Sequence, residues 1–137
     1  MGLIRQNSGF EIDLLNANFE FVGFEEDAPE DFKMIIQDNY EIDGFNEDVV
    51  GIILTRKVYN EPEMLFNISV SFRIFYDINK EEEKELNKDN LEKELAEKKK
   101  TLLRPVTNRA SLLIANITNA HDDLNVITPP FLQEDNN

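Results

Sequence analysis

The feature that most constrains the fold of this chain is a long alternation of apolar and polar residues in its middle. Eight apolar side chains stand at every second position from Met64 to Ile78, and most of the residues between them are polar. Because side chains of a β-strand point alternately to the two faces of a sheet, this pattern predicts a strand with one buried face and one partly wet face. The rest of the chain must therefore supply partner strands and a covering layer.

Three earlier segments show the same period of two. Alternating apolar residues predict strands at 10–24, 32–42 and 49–59, with turn residues between them. In the first segment the apolar phase shifts by one position at Leu14–Leu15, which predicts a β-bulge. Asp43–Gly44 predicts a tight turn between the second and third strands. Short connections of this kind predict that the four strands form an antiparallel meander.

Helical spacing replaces the alternation after the fourth strand. Residues 80–100 are rich in Glu and Lys with a thin stripe of leucines, and predict one helix, or a loop followed by a helix from about residue 89. Apolar residues at 3–4 spacing predict a second helix over about 101–120, with Pro105 tolerated in its first turn. Four strands followed by two helices predict an α+β fold with both helices on one face of an antiparallel sheet.

The length of the chain and its even composition predict a single domain. We expect it to span residues 1–137, with a core of about 10–132 and a flexible tail at 133–137. The cysteine count is zero, which excludes disulfides, thiol catalysis and cysteine-ligated zinc. The sequence has no apolar run of membrane-spanning length and no signal-peptide pattern at its start, so we expect a cytoplasmic protein with no membrane insertion.

The charge of the chain is strongly negative and unevenly distributed. Its 28 acidic and 14 basic residues give a net charge of -14. Residues 1–60 hold thirteen acids against four bases, whereas the Glu/Lys-rich segment 80–100 holds eight acids and seven lysines. This balance argues against a nucleic-acid partner, which requires Lys and Arg on its phosphates, and against docking on anionic lipid.

The sequence contains no convincing catalytic, metal or cofactor site. His121 with Asp122 could belong to a catalytic triad, but no serine lies on a sharp Gly-flanked turn, so a histidine near a helix C-terminus is the simpler interpretation. Residues 39–50 place Gly44 as in a calcium loop, yet the twelfth position is Val50 instead of Glu, which favours a plain turn. We therefore predict no enzyme activity, no metal and no cofactor, and keep a hydrolase using His121 as a minor alternative.

Phenylalanine is unusually frequent, with ten residues spread over the strands, their loops and the last segment. A four-stranded sheet covered by two helices, one of them with only a thin apolar stripe, cannot bury so many apolar positions. Two explanations remain open and can coexist. One is a homo-oligomer interface, and the other is a groove for apolar segments of another protein.

With this order of elements, the chain resembles the SecB-type export chaperones, including small SecB-like proteins of Gram-positive bacteria. The resemblance covers about residues 10–132 and rests on the four strands, a helix, and the sequence LLRPVTNRASLLIANIT followed by LNVITPPF. Leu103, Arg104 and Pro105 match the family's opening of the last helix. Leu124 through Pro129–Pro130 approximate the extended segment that follows it.

The resemblance implies a tetramer, formed as a dimer of dimers, that holds unfolded clients in apolar grooves without ATP. It also implies that acidic residues on the outer face of the sheet contact the SecA motor. We accordingly predict a homo-oligomeric, dimeric or tetrameric, chaperone whose partners are unfolded or apolar polypeptide segments. A structural or regulatory homo-oligomer with the same fold is the alternative. The predicted client-binding residues are Phe19, Phe21, Phe24, Ile127 and Phe131.

Overall fold

The computed structural model describes residues 2–21, 33–61, 66–120 and 126–134. Two short 3₁₀ helices, at Gln6–Ser8 and Lys80–Glu85, accompany the main elements. The main elements, in chain order, are strands β1 (Phe10–Phe21), β2 (Lys33–Phe45), β3 (Val49–Glu61) and β4 (Phe66–Asp77), and helices α1 (Lys88–Leu102) and α2 (Arg104–Asn119). Four strands followed by two helices confirm the predicted α+β fold class.

The strands form one antiparallel sheet in the order β1-β4-β3-β2. The predicted meander is confirmed for β2, β3 and β4, because β2 pairs with β3 and β3 pairs with β4. β1 is the exception, because it pairs with β4 and not with β2. Residues 22–32 separate β1 from β2, and this connection is longer than the roughly two to five residues of a hairpin loop. The two edges of the sheet are therefore β1 and β2.

The predicted bulge in β1 is confirmed, whereas the predicted turn after β2 was misplaced. The pairing of β1 with β4 shifts register between Leu14 and Asn16, so Leu15 is the extra residue. β2 continues through Asp43–Gly44 with a register shift of its own. The chain turns instead at Asn46, whose Oδ1 accepts hydrogen bonds from Asp48 N at 2.7 Å and Val49 N at 2.9 Å. The chain therefore reverses direction through an Asx turn at Asn46, and not at Asp43–Gly44 as predicted.

The core lies between the helices and one face of the sheet. On β4 every second residue from Phe66 to Tyr76 is buried and the residues between them are half-buried, as the alternation predicts. The same phase of β3 is buried as well. Residues that cover this face from the helices are Leu91, Leu95 and Leu102 of α1, and Val106, Ala110 and Ile114 of α2.

Asparagine caps and a tyrosine set the positions of the helices. Asn79 Oδ1 accepts from Glu81 N at the 3₁₀ helix, and Asn87 Oδ1 accepts from Asn90 N at 2.8 Å, so α1 begins at Lys88. Tyr76 of β4 donates its hydroxyl to Leu102 O at the junction of α1 and α2. Burial raises the pKa of Tyr76 to about 12, so the phenol stays neutral well into the alkaline range.

Candidate polypeptide-binding surface

After α2 the chain returns along that helix as an irregular stretch, residues 126–134, which bends at Pro130 and Phe131 and which we call the terminal segment. Three hydroxyl groups on one stripe of α2 bind its main chain. Thr118 Oγ1 accepts from Val126 N at 2.9 Å, Ser111 Oγ donates to Thr128 O at 2.5 Å, and Thr107 Oγ1 donates to Pro130 O at 2.7 Å. Because the residue numbers rise on the segment while they fall on the helix, the terminal segment runs antiparallel to α2.

Arg56 of β3 holds the same segment from the side of the sheet. Its side chain is fully buried, and Nε and Nη2 donate to the two carboxylate oxygens of Asp38 at 2.8 and 2.7 Å. Nη1 donates to Thr128 Oγ1 at 2.9 Å and to Pro129 O at 2.6 Å, and Nη2 also donates to Phe131 O at 3.0 Å. All five N–H donors of the guanidinium are therefore used. A lysine, with three donors on a single nitrogen, could not reproduce this arrangement.

Asp38 completes the attachment at the edge of the sheet. Its Oδ2 accepts from Gln133 N at 2.7 Å, and its own backbone N donates to Gln133 O at 2.9 Å. Glu134 contacts Lys99 of α1, whose ammonium lies 2.8 Å from its carboxylate and whose pKa this hydrogen bond raises. Gln133 and Glu134, the first two residues of the predicted tail, are thus bonded to the sheet and to α1, and residues 135–137 lie outside the described part.

The terminal segment is held by bonds to its main chain and by the inward side chains of Val126 and Thr128. Val126 and Thr128 point inward and are buried. Ile127 and Phe131 point outward, with 70% and 52% of their surface exposed. The Arg104 guanidinium stands over the Phe131 ring, 6.0 Å from its centre. Two of the predicted client-binding residues therefore lie exposed on one rigid segment.

Of the three phenylalanines predicted at the end of the first strand, Phe19 is the one whose side chain the structure describes. Phe19 is half-buried against the core, and its ring stacks on that of Phe66 at a centroid distance of 6.4 Å. Phe21 is the last residue of β1, and its backbone pairs with Phe66; its side chain lies outside the description. Phe24 falls in the undescribed residues 22–32. β1 and the β2 edge are separated by β4 and β3, so the structure does not bring Phe19 together with Ile127 and Phe131.

β1 itself carries exposed apolar side chains of both phases. Leu14 is 51% exposed and Leu15 is 41% exposed, and Phe10 at the start of the strand is similarly accessible. Among the described residues no segment pairs with the outer edge of β1. A long edge strand with unpaired backbone groups and apolar side chains is a template for association with another chain.

Sequence reasoning missed Arg56 and Asp38, although both leave a signal. Arg56 stands on the apolar phase of β3, between Leu54 and Val58, where a charge has no place unless it is paired inside the protein. Asp38 likewise interrupts the apolar phase of β2 at the weak point of that strand. Two opposite charges on buried phases of neighbouring strands indicate an internal ion pair, and they face each other in the β2–β3 register.

The remaining candidates from the sequence are His121 and the calcium-loop pattern of residues 39–50. His121 lies among the undescribed residues 121–125. Residues 39–50 form part of the β2–β3 hairpin, where the calcium motif would need helices. Within the described ranges, no group of three or more His, Asp or Glu could hold a metal ion. No helix in that part of the chain has the length and apolarity needed to cross a bilayer.

Comparisons with known proteins give a match in structure only. The sequence matches no family model, and no curated protein is significantly similar to it. The fold is similar to that of the Mycobacterium tuberculosis SecB-like chaperone Rv1957, solved in complex with a ChAD peptide from the Rv1956 HigA1 antitoxin, with a TM-score of 0.68 at 9% identity over 89% of this chain and 88% of that one. A protein of unknown function from Streptococcus agalactiae aligns with a TM-score of 0.45 at 14% identity, over 88% of this chain and 94% of that one.

The similarity to Rv1957 agrees with the order of elements found here, four antiparallel strands followed by two helices. It spans nearly the whole of both chains, so the match includes the sheet and both helices. The family resemblance read from the sequence is confirmed at the level of fold. This chain has the SecB-like chaperone fold.

Proposed function

We propose that this chain is a SecB-like chaperone that binds unfolded or apolar polypeptide segments without enzymatic activity and without ATP. The observation that carries the proposal is the exposure of Ile127 and Phe131 on a segment that is fixed by its main chain. Ile127 is mostly exposed, and Phe131 is half exposed beneath the Arg104 guanidinium. Large apolar side chains that are exposed without a folding role are typical of a binding surface.

The binding energy would come from burial of client side chains. Each square ångström of apolar surface removed from water contributes roughly 25 cal/mol. Burial of the exposed isoleucine and phenylalanine against a client would therefore support reversible binding. The net charge of -14 limits non-specific self-association and favours basic client segments. Rv1957 carries a peptide of another protein in its solved complex, which fits this class of partner.

The proposed binding residues fall into two groups. Ile127 and Phe131 form the group on the terminal segment, and their exposure supports their assignment. Phe19, Phe21 and Phe24 form the second group at the end of β1. Phe19 lies half-buried beside Phe66, so a client at this site would contact the rim of the core.

Assembly and cellular partners are part of the same proposal. We expect a homo-oligomer, a dimer or a tetramer, in the cytoplasm. A link to protein export through the SecA motor follows from the family resemblance, with the acidic outer face of the sheet as its contact surface. Asp13 and Asp43 lie on that face and form ion pairs with Arg73.

A holdase assay tests the proposal directly. Substoichiometric wild-type protein should slow the aggregation of a chemically denatured client, measured by light scattering without ATP. Phe131→Ser and Ile127→Ser should each weaken this activity severalfold at unchanged thermal stability, because exposed side chains contribute little to folding. Phe45→Ser is the matched control, since Phe45 is an exposed aromatic residue at the far end of β2. If the wild-type protein leaves aggregation unchanged, the chaperone function is refuted.

The exposed edge of β1 favours a second candidate, a structural or regulatory homo-oligomer without client binding. Leu14 and Leu15 could be covered entirely by another copy of the chain. This alternative predicts a stable oligomer that neither slows aggregation nor binds denatured proteins. The same holdase assay, combined with a mass measurement, separates the two functions.

A further inference from the structure

We infer that Arg56 is a positioning residue for polypeptide binding, which holds Ile127 and Phe131 at a fixed spacing toward the partner. The inference rests on the proposed function and adds to it a residue and a partner geometry. Arg56 is fully buried and cannot touch a client. It acts through the main chain of the terminal segment, to which it donates hydrogen bonds at Pro129 O and Phe131 O.

Ile127 and Phe131 are each held by hydrogen bonds to the residues beside them in the chain or to their own backbone. Ile127 stands between Val126, bonded to Thr118, and Thr128, bonded to Arg56 and Ser111. Phe131 is fixed by its own carbonyl, which accepts from Arg56, and its neighbour Leu132 is followed by Gln133, which is bonded to Asp38 in both directions. The donors and acceptors on the side of the protein are side chains of Arg56, Asp38 and α2, together with one backbone group of β2.

Apart from the bond of Arg56 Nη1 to Thr128 Oγ1, these bonds engage the backbone of the segment, so its conformation is set independently of the side chains of Ile127 and Phe131. Ile127 and Phe131 are four positions apart, and the chain bends at Pro130 and Phe131, so their Cα atoms are closer than the roughly 13 Å that four extended steps would span. A fixed pair of apolar contacts favours a partner whose two apolar side chains have a matching spacing. A flexible segment would bind such a partner more weakly, because it must be ordered on binding.

The decisive experiment compares two peptides on designed variants of the full chain. The probes are unstructured basic peptides with two leucines either four or two positions apart. The double variant Asp38→Leu with Arg56→Met replaces the buried ion pair by apolar side chains, a change that often preserves or increases stability. Arg56→Lys is the second variant, since it keeps a charge for Asp38 but lacks the forked donors. Thr55→Val with Ser71→Ala is the matched control, removing a polar pair from the other face of β3.

The expected result is a loss of both affinity and spacing preference. Wild-type protein and the control should bind one of the two peptides more tightly than the other, and both Arg56 variants should bind that peptide about tenfold more weakly, with no preference between the peptides. Amide hydrogen exchange of residues 126–134 should accelerate in the same variants while that of β4 is unchanged. These readouts would not move together if Arg56 served stability alone.

Two contrary outcomes have different meanings. If wild-type protein binds the peptides and both Arg56 variants retain the affinity and the spacing preference, Arg56 is not a positioning residue, although the proposed function stands. If wild-type protein binds neither peptide nor a denatured client, the proposed function fails and the positioning role fails with it. Unaltered exchange of residues 126–134 in both variants would also overturn the role of Arg56.

Discussion

The two edges of the sheet are treated in opposite ways. At the β2 edge, the terminal segment bonds to Asp38 and a fully buried Arg56 fixes it from beneath. At the β1 edge, no described segment covers the strand, and Leu14 and Leu15 remain exposed on opposite sides of a bulge. The terminal segment thus covers the β2 edge around Asp38, whereas the open apolar β1 edge invites association with another chain.

The difference separates two kinds of contact within one small sheet. The β2 side presents Ile127 and Phe131 on a segment whose main chain is bonded to Arg56, Asp38 and α2, so it can bind side chains without adding a strand. The β1 side presents unsatisfied backbone together with apolar side chains, which suits association with another copy. Under the proposed function, client binding at the β2 edge and assembly at the β1 edge would therefore not compete.

The largest expected effect is the loss of stability when Arg56 is removed. Arg56→Ala leaves Asp38 buried without its partner, and removing one member of a buried ion pair costs about 3–5 kcal/mol in the free energy of unfolding. Chemical denaturation measures this loss. Arg73→Ala is the control, because Arg73 forms its ion pairs with Asp13 and Asp43 on the partly exposed outer face. Similar denaturation midpoints for the two variants would contradict the structural role of Arg56.

A charge on the open edge should affect assembly more than folding. Leu14→Lys places like charges together wherever two β1 edges meet, and such repulsion should lower the association constant about a hundredfold. Sedimentation velocity over a range of concentrations measures the change. Met34→Lys on β2 is the matched control on the opposite edge, since Met34 is exposed to a similar degree. Dissociation by Met34→Lys and not by Leu14→Lys would reverse the assignment of the two edges.

A smaller effect is expected where α2 holds the start of the terminal segment. Thr118→Val removes the oxygen that accepts from Val126 N and leaves this buried N–H without a partner. The expected loss is about 1–2 kcal/mol in the free energy of unfolding, with faster exchange of the Val126 amide. Thr55→Val, on the outer face of β3, should change stability less. An unchanged Val126 exchange rate would mean that this bond does not anchor the segment.

Much of the fold follows from local patterns in the sequence. The strict alternation from Phe66 to Tyr76 matches the buried face of β4 residue by residue. The phase shift at Leu14–Leu15 located a real bulge, because a bulge exchanges the faces of the residues that follow it. The Asp43–Gly44 turn failed because Asn46 supplied a better local hydrogen-bond acceptor three residues later.

The candidate surface was predicted only in part. Ile127 and Phe131 could be selected as apolar residues in an extended segment, but their exposure depends on which residues of that segment turn inward. Hydrogen bonds from Arg56 and from the hydroxyls of α2, which are distant in sequence, fix which residues turn inward. The involvement of Ile127, Phe131, Phe19, Phe21 and Phe24 in client binding stays a prediction.

The sequence by itself determined the elements of this protein, since periods of two and of about 3.6 residues arise from backbone geometry that acts over a few positions. It also carried enough of the order of elements to indicate the SecB-like fold. Only the tertiary structure decided that β1 crosses to pair with β4 and that Arg56 joins Asp38 to the terminal segment. Both are contacts between residues far apart in the chain. A local pattern indicates that a buried charge must be paired, but it does not identify the residue that pairs with it.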